Sequence, residues 1–183
     1  MDVDFQPTLS GTSIAVRPLG PDDLEDLYRS ASDPLIWAAH PCKDRHERAV
    51  FEPYFESLLV SGSAVAVVER QSGTIIGCSR YYVAPTKDRE MSIGFTFLDR
   101  SHWGGGTNLE LKRLMLDHIF ETRSEAWFHI DPDNIRSQKA TGKLGAVFVR
   151  QESFDLGAGD ALFLTYRLRK SDWVERMRKL DNT

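Results

Sequence analysis

The clearest periodic signal in the chain lies near its middle. From Met91 to Leu98, Ile93, Phe95 and Phe97 alternate with Ser92, Gly94 and Thr96, the pattern of a strand with two unlike faces. From about Thr107 to Glu121 the polar positions are Glu110, Arg113, Asp117 and Glu121, with almost everything else apolar. So wide an apolar face predicts a helix laid on a sheet.

Working outward from this pair, Thr12–Leu19 alternates and predicts a first strand, closed by Pro18 and Pro21. Asp22 caps a helix running to about Ser32, with Leu24, Leu27 and Tyr28 on one face. Asp33–Trp37 breaks and restarts the chain, and a second helix fits from about His46 to Val60. Ala64–Val68 is a short β-branched run, and Ser72-Gly73 turns it into a second hairpin strand from Thr74 to Val83. A loop is expected at Pro85–Arg89.

Beyond the long helix, Ala126–Ile130 reads as a strand and Ile135–Leu144 as a helix stopped by Gly145. Strands around Ala146–Phe154 and Ala161–Leu168 follow, joined through Gly157-Ala158-Gly159-Asp160. The tail from Ser171 to Thr183 is expected to be helical, with Trp173 and Met177 packing back. The order β-α-α-β-β-β-α-β-α-β-β contains one βαβ crossover in its middle. It predicts an α/β fold with a mixed central sheet flanked by helices.

Composition narrows the class. With 183 residues, 41% hydrophobic and 27% charged, the chain suits one globular domain over residues 1–183. Ten Phe, five Tyr and four Trp argue against disorder. A net charge of −4 supplies no basic field, so nucleic acid is not an expected partner. Cys42 and Cys78 form neither a CxxC pair nor a zinc spacing with His, so no metal is expected. The acidic start Met1-Asp2-Val3-Asp4 has no apolar signal region, and no run approaches the ~18 apolar residues of a membrane span. Cytoplasmic localisation with reduced thiols, and no membrane partner, is the expectation.

The chemistry-bearing stretch is Trp103-Gly104-Gly105-Gly106-Thr107-Asn108, between strand and helix. Successive glycines let backbone N–H groups converge on one centre. The helix start adds unpaired N–H groups and the positive end of its dipole. Together they suit an anion, most naturally a pyrophosphate. The Walker pattern GxxxxGK[ST] is absent. A dinucleotide fold would place GxGxxG after the first strand, not here in mid-chain.

A second constellation, Asn134-Ile135-Arg136-Ser137-Gln138-Lys139-Ala140 followed by Lys143-Leu144-Gly145-Ala146, opens the next helix. Taken with Ile93-Gly94-Phe95-Thr96-Phe97-Leu98 and the glycine loop, it resembles the GNAT superfamily of N-acetyltransferases. The nearest likeness is to the RimJ/RimL-like branch of ribosomal-protein N-terminal acetyltransferases, whose N-terminal region Asp33-Pro34 and Trp37 also resemble.

That resemblance implies acetyl-CoA as cosubstrate, its pyrophosphate cradled by Trp103, Gly104, Gly105, Gly106, Thr107 and Asn108. The family pattern, Gln or Arg, two residues, Gly, one residue, then Gly or Ala, falls at Trp103, Gly106 and Asn108, departing at the first and last. It implies that the backbone of Thr96, Phe97 and Leu98 pairs with the pantetheine arm, one N–H polarising the thioester carbonyl. It implies that Asn134 bonds the cofactor's pantetheine side; the local alternative is a helix N-cap, and the two are compatible. Ser137 resembles the position that offers a hydroxyl near sulfur as general acid. The Tyr that many relatives carry later in this helix is replaced by the region of Thr141 and Gly142.

For the base, relatives often have Glu where this chain has Ser92; Glu90 lies two residues earlier on the same strand face, within reach through a water. His40 and His102 are further candidates, and His118, amid Leu111, Leu114 and Met115, reads as structural. A weak base favours an α-amine, pKa about 7.7–8.0, or a small-molecule amine over lysine, at about 10.4. The expected enzyme moves acetyl directly to a primary amine, on a peptide N-terminus or a small molecule, and its architecture leaves room for a homodimer. The alternatives are a non-catalytic acyl-CoA-binding sensor or partner module, and an acyltransferase for longer chains.

Overall fold

The computed structural model describes residues 3–85, 90–157 and 159–182. Its elements are β1 (Leu9–Ser10), β2 (Ile14–Pro18), α1 (Leu24–Ala31), α2 (Pro34–Trp37), α3 (Arg48–Val60), β3 (Ala64–Glu69), β4 (Ile75–Val83), β5 (Met91–Leu98), α4 (Thr107–Thr122), β6 (Glu125–Ile130), α5 (Ile135–Lys143), β7 (Val147–Asp155), β8 (Asp160–Arg169) and α6 (Lys170–Asp181). The expected order is recovered with two additions: β1 pairs with β2, and Asp33–Trp37 itself holds a short helix. Asp33 caps that helix, accepting the Leu35 N–H at 2.9 Å, and Pro34 occupies its first turn. The loop expected at Pro85–Arg89 falls outside the described residues from Thr86 on, as do Ala158 and Thr183.

One eight-stranded mixed sheet runs β1-β2-β3-β4-β5-β6-β8-β7. All neighbours are antiparallel except β5 and β6, which run parallel because α4 carries the chain back. One face is sealed by α4 and α6, with Leu111, Met115, Leu116, Ile119 and Trp173 packed on Ile93, Phe128 and Leu168. On the other face α1, α2 and α3 cover the earlier strands through Leu27, Trp37, Phe51 and Phe97. The later strands on that second face present Trp127, His129, Glu152 and Phe154 instead. No helix among the described residues is long and apolar enough to cross a membrane.

The alternation read along β5 needs correction. Ile93 packs on the α4 side, whereas Phe97 packs on the α1–α3 side. Cys78 pairs with Phe97 and Arg80 with Gly94, so the single residue Ser79 opposes both Phe95 and Thr96. This is a β-bulge, and the extra residue reverses the strand's facing. Phe95 has φ 54°, the left-handed region. Such a conformation is uncommon for a residue with a side chain and points to function when surrounding structure enforces it.

Candidate active site

The bulge sits where the sheet opens. Strands β5 and β6 pair at Ser92 and Trp127. Past that point β6 continues beside β8 as far as Ile130, while β5 continues beside β4 as far as Leu98. The backbone edge of β5 after the bulge therefore faces a gap. His129, across that gap, is half-buried although its side chain is 0% exposed, so the exposed part is its main chain. Two open backbone edges of this kind can hydrogen-bond an extended polar arm.

The gap leads to the glycine loop. Trp103 donates its indole N–H to the Leu98 carbonyl at 3.0 Å, and the Arg136 guanidinium lies over its ring, 4.0 Å from the centroid. Trp103 thus staples the loop between β5 and α5, a structural role in place of the polar residue common in the family pattern. Gly104 and Gly106 have φ of 79° and 88°, which disfavour any side chain. An added Cβ on Gly104, Gly105 or Gly106 would meet nothing within 4 Å, so the loop borders open space. The first intrahelical bond of α4 runs from Glu110 N to Gly106 O, leaving the N–H groups of Thr107, Asn108 and Leu109 without helical acceptors. The N–H groups that open α4 thus adjoin this open loop, whereas the Trp103 N–H is spent on the Arg100 carbonyl at 3.1 Å.

Asn134 caps α5, its Oδ1 accepting the Ser137 N–H at 3.1 Å. Its amide NH₂ points no bond at another described residue, so capping and ligand binding remain compatible. Ser137 is half-buried in the first turn. Arg136 is anchored to the Ile36 carbonyl at 3.2 Å, which ties α5 to α2 across the loop.

Glu90, the expected base, is bound to Arg150, whose guanidinium donates to its Oε2 at 2.6 Å. Arg150 also reaches Glu152 at 2.7 Å. Glu90 therefore belongs to a carboxylate–guanidinium–carboxylate bridge at the end of β5 away from the bulge. His40 accepts the Cys42 N–H at Nδ1 (3.0 Å) and lies against Trp37 and Arg45 near α2. His118 contacts the Asp4 carbonyl at 2.9 Å and packs edge-on against Tyr81, in keeping with a structural residue. Trp37 and Tyr54 are core residues.

Sequence reasoning missed three groups at the bulge. Tyr82 lies over Gly94: an added Cβ there would come within 2.8 Å of its ring and 3.2 Å of its hydroxyl. That hydroxyl is 2.9 Å from His129 Nδ1. Burial pushes the His129 pKa down to about 4, with Glu152 opposing the shift, so the imidazole is neutral at pH 7. Lys112, on the face of α4 read as apolar, is buried and donates to Thr96 Oγ1 at 2.8 Å. Burial alone pushes its pKa down to about 7. The legible signal was a second cation, beside Arg113, between Leu111 and Met115; the Tyr82–His129 contact joins residues 47 apart and left none.

Comparisons with known proteins bear on the fold. The sequence profile of the acetyltransferase (GNAT) domain matches residues 13–147. The fold is similar to that of a GCN5-related N-acetyltransferase from Brucella melitensis, at TM-score 0.81 and 15% identity over 97% of this chain and 85% of that one. It is similar to Mycobacterium smegmatis RimJ in complex with CoA-disulfide, at TM-score 0.70 and 15% identity over 99% and 98%. It is also similar to a Vibrio cholerae protein provisionally named a ribosomal-protein-serine acetyltransferase, at TM-score 0.70 and 16% identity over 89% and 97%. At these identities the structural likeness establishes the fold alone. None of the curated proteins compared matches the chain.

Proposed function

Because this chain belongs to the acetyltransferase (GNAT) domain family, we propose that it acts as a single catalytic domain moving acetyl from acetyl-CoA directly to a primary amine. The observation that carries this reading is that the strand edge left unpaired past Ser92 leads directly into the open glycine loop, outlining one path. It runs from the N–H groups of the Gly104–Asn108 loop along the unpaired edge of β5 to the bulge at Phe95 and Thr96. A pyrophosphate at the α4 N-terminus would send the pantetheine arm down this edge, past Leu98, Phe97 and Thr96. The thioester would then lie at the bulge, where a backbone N–H freed from the β4 ladder can polarise its carbonyl.

Asn134 and Ser137 flank the slot from α5. Ser137 would donate a proton to the departing thiolate, which at a thiol pKa of about 8.5 needs little assistance. The acceptor would approach from the open sheet face carrying Glu90, Trp127 and Glu152. A peptide α-amine or small-molecule amine fits the engagement of Glu90 by Arg150, and the likeness to a protein named as a ribosomal-protein-serine acetyltransferase supports the peptide choice. The free thiols Cys42 and Cys78 support action in the cytoplasm.

Calorimetry with acetyl-CoA, using ATP and NADH as controls, tests the slot. Selective micromolar binding is expected. Gly105→Val puts a side chain into open space at the cradle without forcing a left-handed residue, and should weaken acetyl-CoA at least about tenfold with Tm unchanged. Gly106→Val should weaken it similarly while adding backbone strain of about 1–2 kcal/mol. Unchanged affinity in both variants would remove the loop as the cofactor site. Binding without transfer to any amine would instead favour a sensor module.

A further inference from the structure

Beside the bulge the buried side chains of Tyr82 and His129 meet the partly exposed Glu152 and Arg150, and the acetyl-transfer reading leaves the Tyr82–His129 contact without a role. Tyr82 of β4 places its hydroxyl over Gly94, next to Phe95, and packs edge-on against the Phe95 ring at 5.6 Å. The same hydroxyl meets His129 Nδ1 of β6 at 2.9 Å. His129 Nε2 is buried without a hydrogen-bond partner and lies 4.0 Å from Glu152 Oε1 of β7. Glu152 is held in turn by Arg150 and by Thr165 Oγ1 of β8 at 2.8 Å. Phe154 closes the ring edge of His129 at 4.9 Å.

We propose that Tyr82 is the catalytic group that receives the acceptor amine's proton, and that His129 and Glu152 position it and carry that proton outward. The inference rests on acetyl transfer at the bulge. The amine nitrogen attacks the thioester carbonyl carbon, forming the N–C bond. The nitrogen, now cationic, passes its proton to the Tyr82 oxygen while the Tyr82 O–H proton moves to His129 Nδ1. The C–S bond breaks and CoA leaves as thiolate. His129 then releases its Nε2 proton to Glu152, which gives it up to water; Ser137 hands one proton to the thiolate and recovers it from water, and His129 returns to its Nε2–H tautomer by proton exchange through Tyr82 and Glu152, so charge and protons balance.

The chain of contacts requires one tautomer. Nδ1 must accept from Tyr82 and Nε2 must carry the hydrogen, aimed at Glu152. A weakly basic imidazole suffices, because a nitrogen already bonded to the tetrahedral carbon is far more acidic than a free ammonium. The groups facing His129 are Tyr82 from β4, Arg150 and Glu152 from β7, and Glu90 at the start of β5. Glu90, His129 and Glu152 lie close enough to share a metal ion. The Arg150 guanidinium already bridges both carboxylates, which opposes a further cation and favours the proton path.

Nitrogen-15 NMR of the imidazoles in the cofactor-free protein tests the relay independently of any acceptor. The expected result is neutral His129 in the Nε2–H tautomer with Nδ1 accepting a hydrogen bond that Tyr82→Phe abolishes. An Nδ1–H tautomer would overturn the relay. Kinetics with acetyl-CoA and a peptide bearing a free α-amine supply the second arm. Tyr82→Phe and His129→Gln should each lower kcat at least about tenfold, the lower range for general acid–base groups, with acetyl-CoA affinity unchanged. In both, kcat should become dependent on buffer-base concentration, which a packing defect would not produce. Wild-type kcat in either variant would overturn the relay, whereas failure of the wild type to bind acetyl-CoA would overturn the acetyl-transfer reading itself.

Discussion

Replacing Lys112 by methionine is expected to stabilise the protein by about 3 kcal/mol at pH 7. Lys112 is 8% exposed, bonds only to Thr96 Oγ1 among the described residues, and burial lowers its pKa from 10.5 to about 7. The unfolded chain binds this proton up to about pH 10.5 and the folded protein only up to about 7, so folding stability rises with pH between them. At pH 7 the shift corresponds to a penalty on the order of 4 kcal/mol. Methionine has similar length and no charge, and forfeits one hydrogen bond worth about 1 kcal/mol. Denaturant unfolding of both proteins from pH 7 to 10 checks this. The wild type should gain stability across the range and the variant should stay flat; a variant no more stable than wild type would show Lys112 charged and well solvated by the fold.

A second large effect is expected in acid. His40 and His129 are both lowered from 6.5 to about 4, each first by burial and then by arginine charge, Arg45 for His40 and Arg150 for His129. A depressed histidine contributes stability that is complete above about pH 6.5 and is lost as pH falls towards 4, because only the unfolded state takes up the proton. Each shift corresponds to roughly 3 kcal/mol over that window. The midpoint of urea unfolding should therefore fall steeply between pH 6.5 and 4. His40→Gln combined with His129→Gln should flatten that decline; an equally steep decline in the double variant would assign the acid lability to other groups.

Much of the candidate site's scaffold was legible in local pattern. The glycine loop, the helix beginning at Thr107 and the cap at Asn134 are all encoded within a few residues, and each stands where the pattern put it. Asp33-Pro34 likewise carried a helix start, although the segment read as a break because four residues hold too few periodic positions to show a helix. The bulge escaped because alternation assumes one residue opposite one. Ser79 faces both Phe95 and Thr96 only through pairing with β4. Glu90 shared the strand parity expected of a base, yet parity says nothing of Arg150, sixty positions away, which occupies its carboxylate.

Hydrophobic spacing, glycine placement and capping residues determine the elements, their order and the glycine-rich loop, because each depends on neighbours within one or two turns of chain. The insertion of β8 between β6 and β7, the parting of β5 from β6 and the meeting of Tyr82, His129 and Glu152 belong to the closed sheet. So do the lowered proton affinities of Lys112 and His129. Hydrogen bonding and desolvation act over a few ångströms of space, and those distances exist only once residues far apart in sequence are brought to one place.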